Sequence, residues 1–148
     1  MREILFRGKR CDNGELVQGY YIRAEHHWHK HGIHKDWIVC SASANGGWFA
    51  LHNKYAVKAE TVGQFTGLTD KNGKKIFEGD IVETHSGLLG EVVYGSFFDD
   101  EYECDTCGWF WIGKDEDKDT YKLSLSDFWG GHKVVGNIHD NHELLGDK

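Results

Sequence analysis

The chain has 148 residues, with no proline, 19 glycines, four cysteines, six tryptophans and an aromatic share of 14%. That length suits one domain, or one domain with a large insertion, burying about 68–70% of its unfolded surface without staples. A formal net charge of −7 leaves no overall basic footprint for duplex DNA, no apolar run nears the roughly 20 residues that cross a bilayer, and Met1–Arg7 has no signal-peptide core or cleavage site.

Arg2–Arg7 alternates polar and apolar residues on both faces and predicts a first strand. Cys11-Asp12-Asn13-Gly14 carries the Asn-Gly hairpin signal, and Glu15–Arg23 returns as the second strand. Residues 24–36 break the pattern: five histidines (His26, His27, His29, His31, His34) fall in a stretch with neither helical nor strand period, which reads as a loop. Asp36–Cys40 predicts a strand, Ser41–Gly47 a loop of small residues, and Trp48–His52 with Tyr55–Val57 a hairpin turning at Asn53-Lys54.

The segment 61–82 is the most legible. An extended run begins at Val62 and is interrupted at Gly67. Asp70-Lys71-Asn72-Gly73 then has Asp first and Gly fourth, as a type I turn prefers, while positive φ at Asn72 or Gly73 leaves a G1-bulge hairpin open. Ile76-Phe77, a turn at Glu78-Gly79-Asp80, and Ile81-Val82 follow. Leu88–Tyr94 predicts the next strand, ending at a Gly95-Ser96 break. Beyond it lie an aromatic, acidic segment (Phe97–Glu103), a turn at Cys104–Gly108, an aromatic strand Trp109–Ile112 and a charged turn at 113–119. Tyr121–Leu125 is the next strand, Asp127–Gly131 one helical turn, His132–Ile138 a closing strand, and Asn141–Leu145 a short helix or coil. No window supports a helix of ordinary length.

Met1–Lys9, Asn13-Gly14 with Val17 and Gly19, Thr61–Val82, Gly90-Glu91-Val92-Val93 and Val134–Leu145 together resemble, in order, the YopX protein family over roughly half the chain. The resemblance implies a phage or prophage protein of a bacterium, β-rich and homo-oligomeric, with no established activity and no catalytic residues to carry over. One departure is Asn141-His142, where the family often has Asn-Pro; the fixed φ of proline is absent there.

Several groups could carry chemistry. His27, His29 and His31 would share a face if extended and could hold a metal, although a solvated loop titrating near neutrality explains them as well. Cys104-x-x-Cys107 is half of a zinc knuckle, since a turn of that spacing can aim two thiolates at one tetrahedral edge. No second C-x-x-C exists, so Cys11, Cys40 or a histidine would have to complete the set. In a cytosolic chain the four cysteines read as thiols rather than a disulfide framework. Glu78 with Asp80, and Asp115–Asp119, read as turn and surface charge rather than acid–base machinery. Trp48-Phe49 and Trp109-Phe110-Trp111 could stack bases, but Asp99, Asp100, Glu101 and Glu103 are the nearer charges; a ring-rich core plus an interface fits better.

These readings predict an all-β protein with little helix. Residues 1–60 form an N-terminal β-hairpin region holding the His-rich loop, and 61–148 form a bent SH3-like β-barrel core, in one domain spanning 1–148. The expected function is a non-enzymatic, homo-oligomeric module binding a host or phage protein in the bacterial cytoplasm, away from membranes. The alternatives are a nucleic-acid-associated accessory protein and a metal-dependent factor using zinc at Cys104 and Cys107 or the His-rich loop. No catalytic or cofactor-binding residue is assigned.

Overall fold

The structure, a computed structural model, describes residues 3–24, 35–45, 48–99, 103–114, 120–127 and 131–146. Its strands form antiparallel sheets, and among the described residues the only helices are short 3₁₀ turns, the all-β class that the sequence predicts. The chain divides into two compact units, Met1–Phe65 and Thr66–Lys148.

In the first unit, β1 (Phe6–Lys9), β2 (Leu16–Arg23), β3 (Asp36–Asn45), β4 (Trp48–Ala56) and the start of β5 (Gly63–Thr69) lie in the order β4-β3-β2-β1-β5. The Asn-Gly hairpin forms as expected. Gly14 takes φ 74°, its N–H donates to the Arg10 carbonyl at 3.1 Å, and the Arg10 N–H donates to the Glu15 carbonyl at 2.9 Å. Ile38, Val39, Val57 and Phe65 are buried. Gly19 lets β2 close on β3, because a Cβ there would lie 2.3 Å from the Val39 carbonyl oxygen. The Tyr21 hydroxyl donates to the Asp36 carboxylate, which with burial raises the phenol above its ordinary pKa.

Two local expectations fail here. Ser41–Asn45 continues β3 instead of forming a loop, in register with Trp48–His52, and the Ser41 hydroxyl donates to the His52 carbonyl at 3.3 Å. The hairpin at Asn53-Lys54 is absent. Asn53 takes φ 49° inside an unbroken β4, a conformation asparagine tolerates without turning the chain. The His-rich stretch lies outside the described residues.

In the second unit, β6 (Lys75–Phe77) pairs with β5. β7 (Asp80–Glu83), β8 (Leu89–Asp99), β9 (Cys104–Lys114), β10 (Thr120–Ser124) and β11 (Lys133–Asn137) form a five-stranded sheet in the order β10-β9-β8-β7-β11. The SH3-like barrel is corrected by this order. The sheet stays open, with β10 and β11 at its ends, and β6 and β7 belong to different sheets. The Glu78-Gly79 turn between them, with Gly79 at φ 78°, transfers the chain from one sheet to the other rather than bending a single one.

The Asp70 turn combines the two geometries left open by its sequence. The Gly73 N–H donates to the Asp70 carbonyl at 2.9 Å, and Gly73 takes φ 79°. The buried Asp70 carboxylate accepts from the backbone N–H groups of Asn72 (2.8 Å), Lys74 (2.9 Å) and, 64 residues away, Val134 (3.0 Å). Burial alone would raise its pKa. These three donors and the Lys74 ammonium outweigh that penalty and leave it below the ordinary carboxylate value.

Ile76, Val82, Val92, Trp111, Leu125 and Val134 form the core of this unit. Trp111 is 1% exposed, and its indole N–H donates to the Val82 carbonyl at 2.9 Å. Its ring lies over the register pair Gly90 and Gly113, where an added Cβ would meet it at 2.3 and 2.2 Å. β8 and β9 are longer than predicted: the strand runs through Gly95-Ser96, and Cys104–Gly108 is paired strand instead of turn. Gly67, read as an interruption, is held inside β5 at φ 89°. A 3₁₀ turn spans Leu125–Asp127, and another, His142–Leu145, takes the place of the terminal helix or coil.

Three expected outcomes follow from this packing. Gly113→Ala, which drives a methyl into the Trp111 ring, should cost roughly 1–3 kcal/mol, read as a lower urea midpoint. Trp111→Ala should cost about 3–5 kcal/mol in the same assay. Asp70 contributes stability above its unfolded pKa of about 3.9, lost as pH falls through its lower folded value. His132 is held below its ordinary pKa by burial and by His85, so its contribution declines as pH drops below about 6.5. Asp70→Asn should abolish the lower window and leave the upper one, read from stability measured across pH.

Candidate functional site

The two thiols proposed as zinc ligands lie on β9. Cys104 pairs with Asp99 and Cys107 with Ser96, in a register without irregularity. Three residues apart on a regular strand, they project to opposite faces. The turn that would aim both sulfurs at one metal is therefore absent. Both are exposed, and the Cys107 thiol donates to the Tyr94 hydroxyl at 3.4 Å. Cys40 is exposed and Cys11 half-buried, and all four are free thiols. Among the described residues, no group of three or more His, Cys, Asp or Glu side chains is placed to share a metal. The histidine tract and the acidic run 115–119 lie outside those residues. Asp80, read as a turn residue, is fully buried and accepts from the Phe77 N–H at 2.8 Å, a structural role.

A cleft of about 310 Å³ in the first unit is lined by Cys11, Asp12, Trp37, Lys54, Tyr55 and Ala56. Beside it the Arg10 guanidinium stacks 4.3 Å above the Tyr55 ring and grips the Asp12 carboxylate, so these two charges neutralise each other. On the neighbouring hairpin, Ser43 Oγ lies 2.7 Å from His52 Nε2. Both side chains are exposed, and among the described residues no third side chain is hydrogen-bonded to the His52 ring.

The aromatic surface is the most developed feature. Paired residues share a face, so the register aligns Tyr94 with Trp109, Leu123 with Trp111, and Tyr121 with Gly113 on one side of the β8-β9-β10 sheet. Tyr94 and Trp109 meet edge to face at 5.0 Å. Outward from the buried Trp111, this face exposes Tyr94 (55%), Phe98 (62%), Tyr121 (44%) and Leu123 (44%). These are not the rings of Trp109-Phe110-Trp111 that the sequence singles out. Trp111 and Phe110 belong to the interior, and the exposed ones come from β8 and β10. The missed signal was the alternation Tyr94, Ser96, Phe98, visible only when β8 is read through Gly95.

The model of the YopX protein family matches residues 5–146. The chain belongs to the YopX family. Its fold is similar to the crystal structure of protein EF1440 from Enterococcus faecalis, with a TM-score of 0.54 and 22% identity over 98% of this chain and 99% of that one. A search of curated proteins finds no match. Among the described residues of this YopX-family chain, no helix is long and apolar enough to cross a membrane.

Cysteine chemistry gives a direct check on the β9 geometry. In native protein, a thiol reagent should label Cys40, Cys104 and Cys107 faster than Cys11, and equimolar zinc should leave the rates at Cys104 and Cys107 unchanged. Protection of both by zinc would show the two sulfurs on one ion.

Proposed function

We propose that this YopX-family protein is a non-enzymatic, homo-oligomeric interaction module that binds protein through the aromatic face of its five-stranded sheet. The observation that carries the reading is the alignment of Tyr94, Phe98, Tyr121 and Leu123 on one face, each between 44% and 62% exposed. Scattered exposed apolar residues are ordinary, but a register-aligned set enriched in tyrosine and phenylalanine is the composition of an interface core. Tyrosine suits that place because its ring packs while its hydroxyl stays hydrated. The family resemblance supports a setting in the cytoplasm of a bacterial host, in a phage or prophage context, with a host or phage protein as a further partner.

The local charge favours protein over nucleic acid. A single-strand binder sets its stacking rings in a basic groove, whereas here Asp105 stands opposite Phe98 and Glu103 is close along the chain.

Native mass spectrometry of freshly purified protein tests the reading. It should give a multimer of the 16.9 kDa chain without additional metal mass. A monomer at micromolar concentration overturns the oligomeric module, and steeply salt-dependent binding to single-stranded DNA or RNA would replace it with the nucleic-acid reading.

A further inference from the structure

β8 and β9 extend past their neighbours. β7 stops pairing with β8 at Glu91, and β10 stops pairing with β9 at Phe110. From Tyr94 opposite Trp109 to Asp99 opposite Cys104 the two strands pair with each other, and among the described residues no third strand joins them. A lone two-stranded ribbon is marginal in water and gains most from being covered.

The two faces of this arm differ. On one, Phe97 packs edge to face on the buried Phe110 with ring centroids 4.4 Å apart, and Lys122 Nζ lies 4.8 Å from the Phe97 centroid. On that face Phe97 is half-buried by these contacts. The other presents Tyr94 and Phe98, both more than half exposed. The arm is also acidic, with Glu103 and Asp105 exposed.

A surface of opposite sign stands on the same unit. The hairpin Asp70–Lys75 exposes Lys71 and Lys74, while its one carboxylate, Asp70, is buried and held by three backbone N–H groups. What this hairpin shows to solvent is cationic. Each copy thus carries both an acidic aromatic arm and a basic hairpin, the self-complementary pair that a two-fold contact needs.

We propose that the β8–β9 arm docks on the Lys71–Lys74 hairpin of a second copy, with Glu103 and Asp105 meeting the lysines and Tyr94 and Phe98 buried in the contact. This rests on the oligomeric reading above and assigns its interface. The partner's arm returns to the first copy's hairpin, so the contact closes on itself.

Sedimentation of two charge-reversed variants tests it. The arm variant Glu103→Lys/Asp105→Lys and the hairpin variant Lys71→Glu/Lys74→Glu should each associate at least about tenfold more weakly than the parent, from like-charge juxtaposition. An equimolar mixture should recover association, because each arm then meets a hairpin of opposite sign. Lys74 also supports Asp70, so thermal midpoints are measured alongside; the arm variant lies outside the Asp70 turn and keeps the test decisive if the hairpin variant unfolds. A monomeric parent overturns both this inference and the oligomeric reading. An oligomeric parent whose arm variant associates undiminished, or two folded variants whose mixture fails to recover, overturns the arm assignment alone.

Discussion

The second unit is built on one close contact: the Trp111 indole lying against two glycines. Gly90 and Gly113 face each other across β8 and β9, and a methyl at either would overlap the ring by more than an ångström of ordinary contact distance. With no side chains between ring and backbone, the largest residue of the core sinks onto the sheet. There its N–H reaches the Val82 carbonyl, which adds direction to an otherwise non-directional burial. Val82, Val92, Val134, Ile76 and Leu125 pack with the ring. Leu123 and Tyr121 on β10 are aligned by register with Trp111 and Gly113. The same alternation that buries Trp111 places Tyr94, Phe98, Tyr121 and Leu123 on its face of the sheet, and they stay exposed because they lie beyond the core cluster.

Polar groups set the connections that the apolar core cannot. Asp70 satisfies donors from its own turn and from β11, so a short hairpin and a strand 64 residues later are fixed by one carboxylate. Asn137 closes the turn after β11 in a similar way, accepting from the His139 and Asp140 N–H groups at 3.0 and 3.1 Å. In the first unit Thr61 accepts from the Lys9 N–H at 2.9 Å and donates to the Lys58 carbonyl at 2.7 Å, tying the 3₁₀ turn Ala59–Thr61 to β1. A chain without proline stiffens its turns through such side-chain hydrogen bonds and left-handed glycines.

Turns marked by positive-φ glycine were legible in advance: Asn13-Gly14 and Asp70–Gly73 form where their residues predict. Strand continuity was not, because local signals that elsewhere break a strand are absorbed by cross-strand pairing. Ser41–Asn45 and Gly95-Ser96 sit inside ladders, and Asn53 and Gly67 inside unbroken strands, where cross-strand pairing outweighs weak local propensity. Sheet closure depends on which strands meet at the ends, information that no short window carries, so a barrel was expected where two open sheets stand. The same limit governed the site. A C-x-x-C read as a turn suggested a metal edge; the strand it occupies separates the two sulfurs. The alignment of Tyr94 with Phe98 is hidden because its period-2 pattern crosses the supposed break at Gly95.

The structure therefore presents a family scaffold whose most specialised surface is a sheet face and its projecting arm, without a geometry that brings nucleophile, base and orienting group together among the described residues. Burial of that arm by a second copy is the central claim, and hydrogen exchange followed across protein concentration measures it most directly. Amides of Tyr94–Phe98 and Asp105–Trp109 should slow as concentration rises through the association range, while those around Trp111 stay protected throughout. Exchange in the arm that does not change with concentration, in a protein that nonetheless associates, would contradict it.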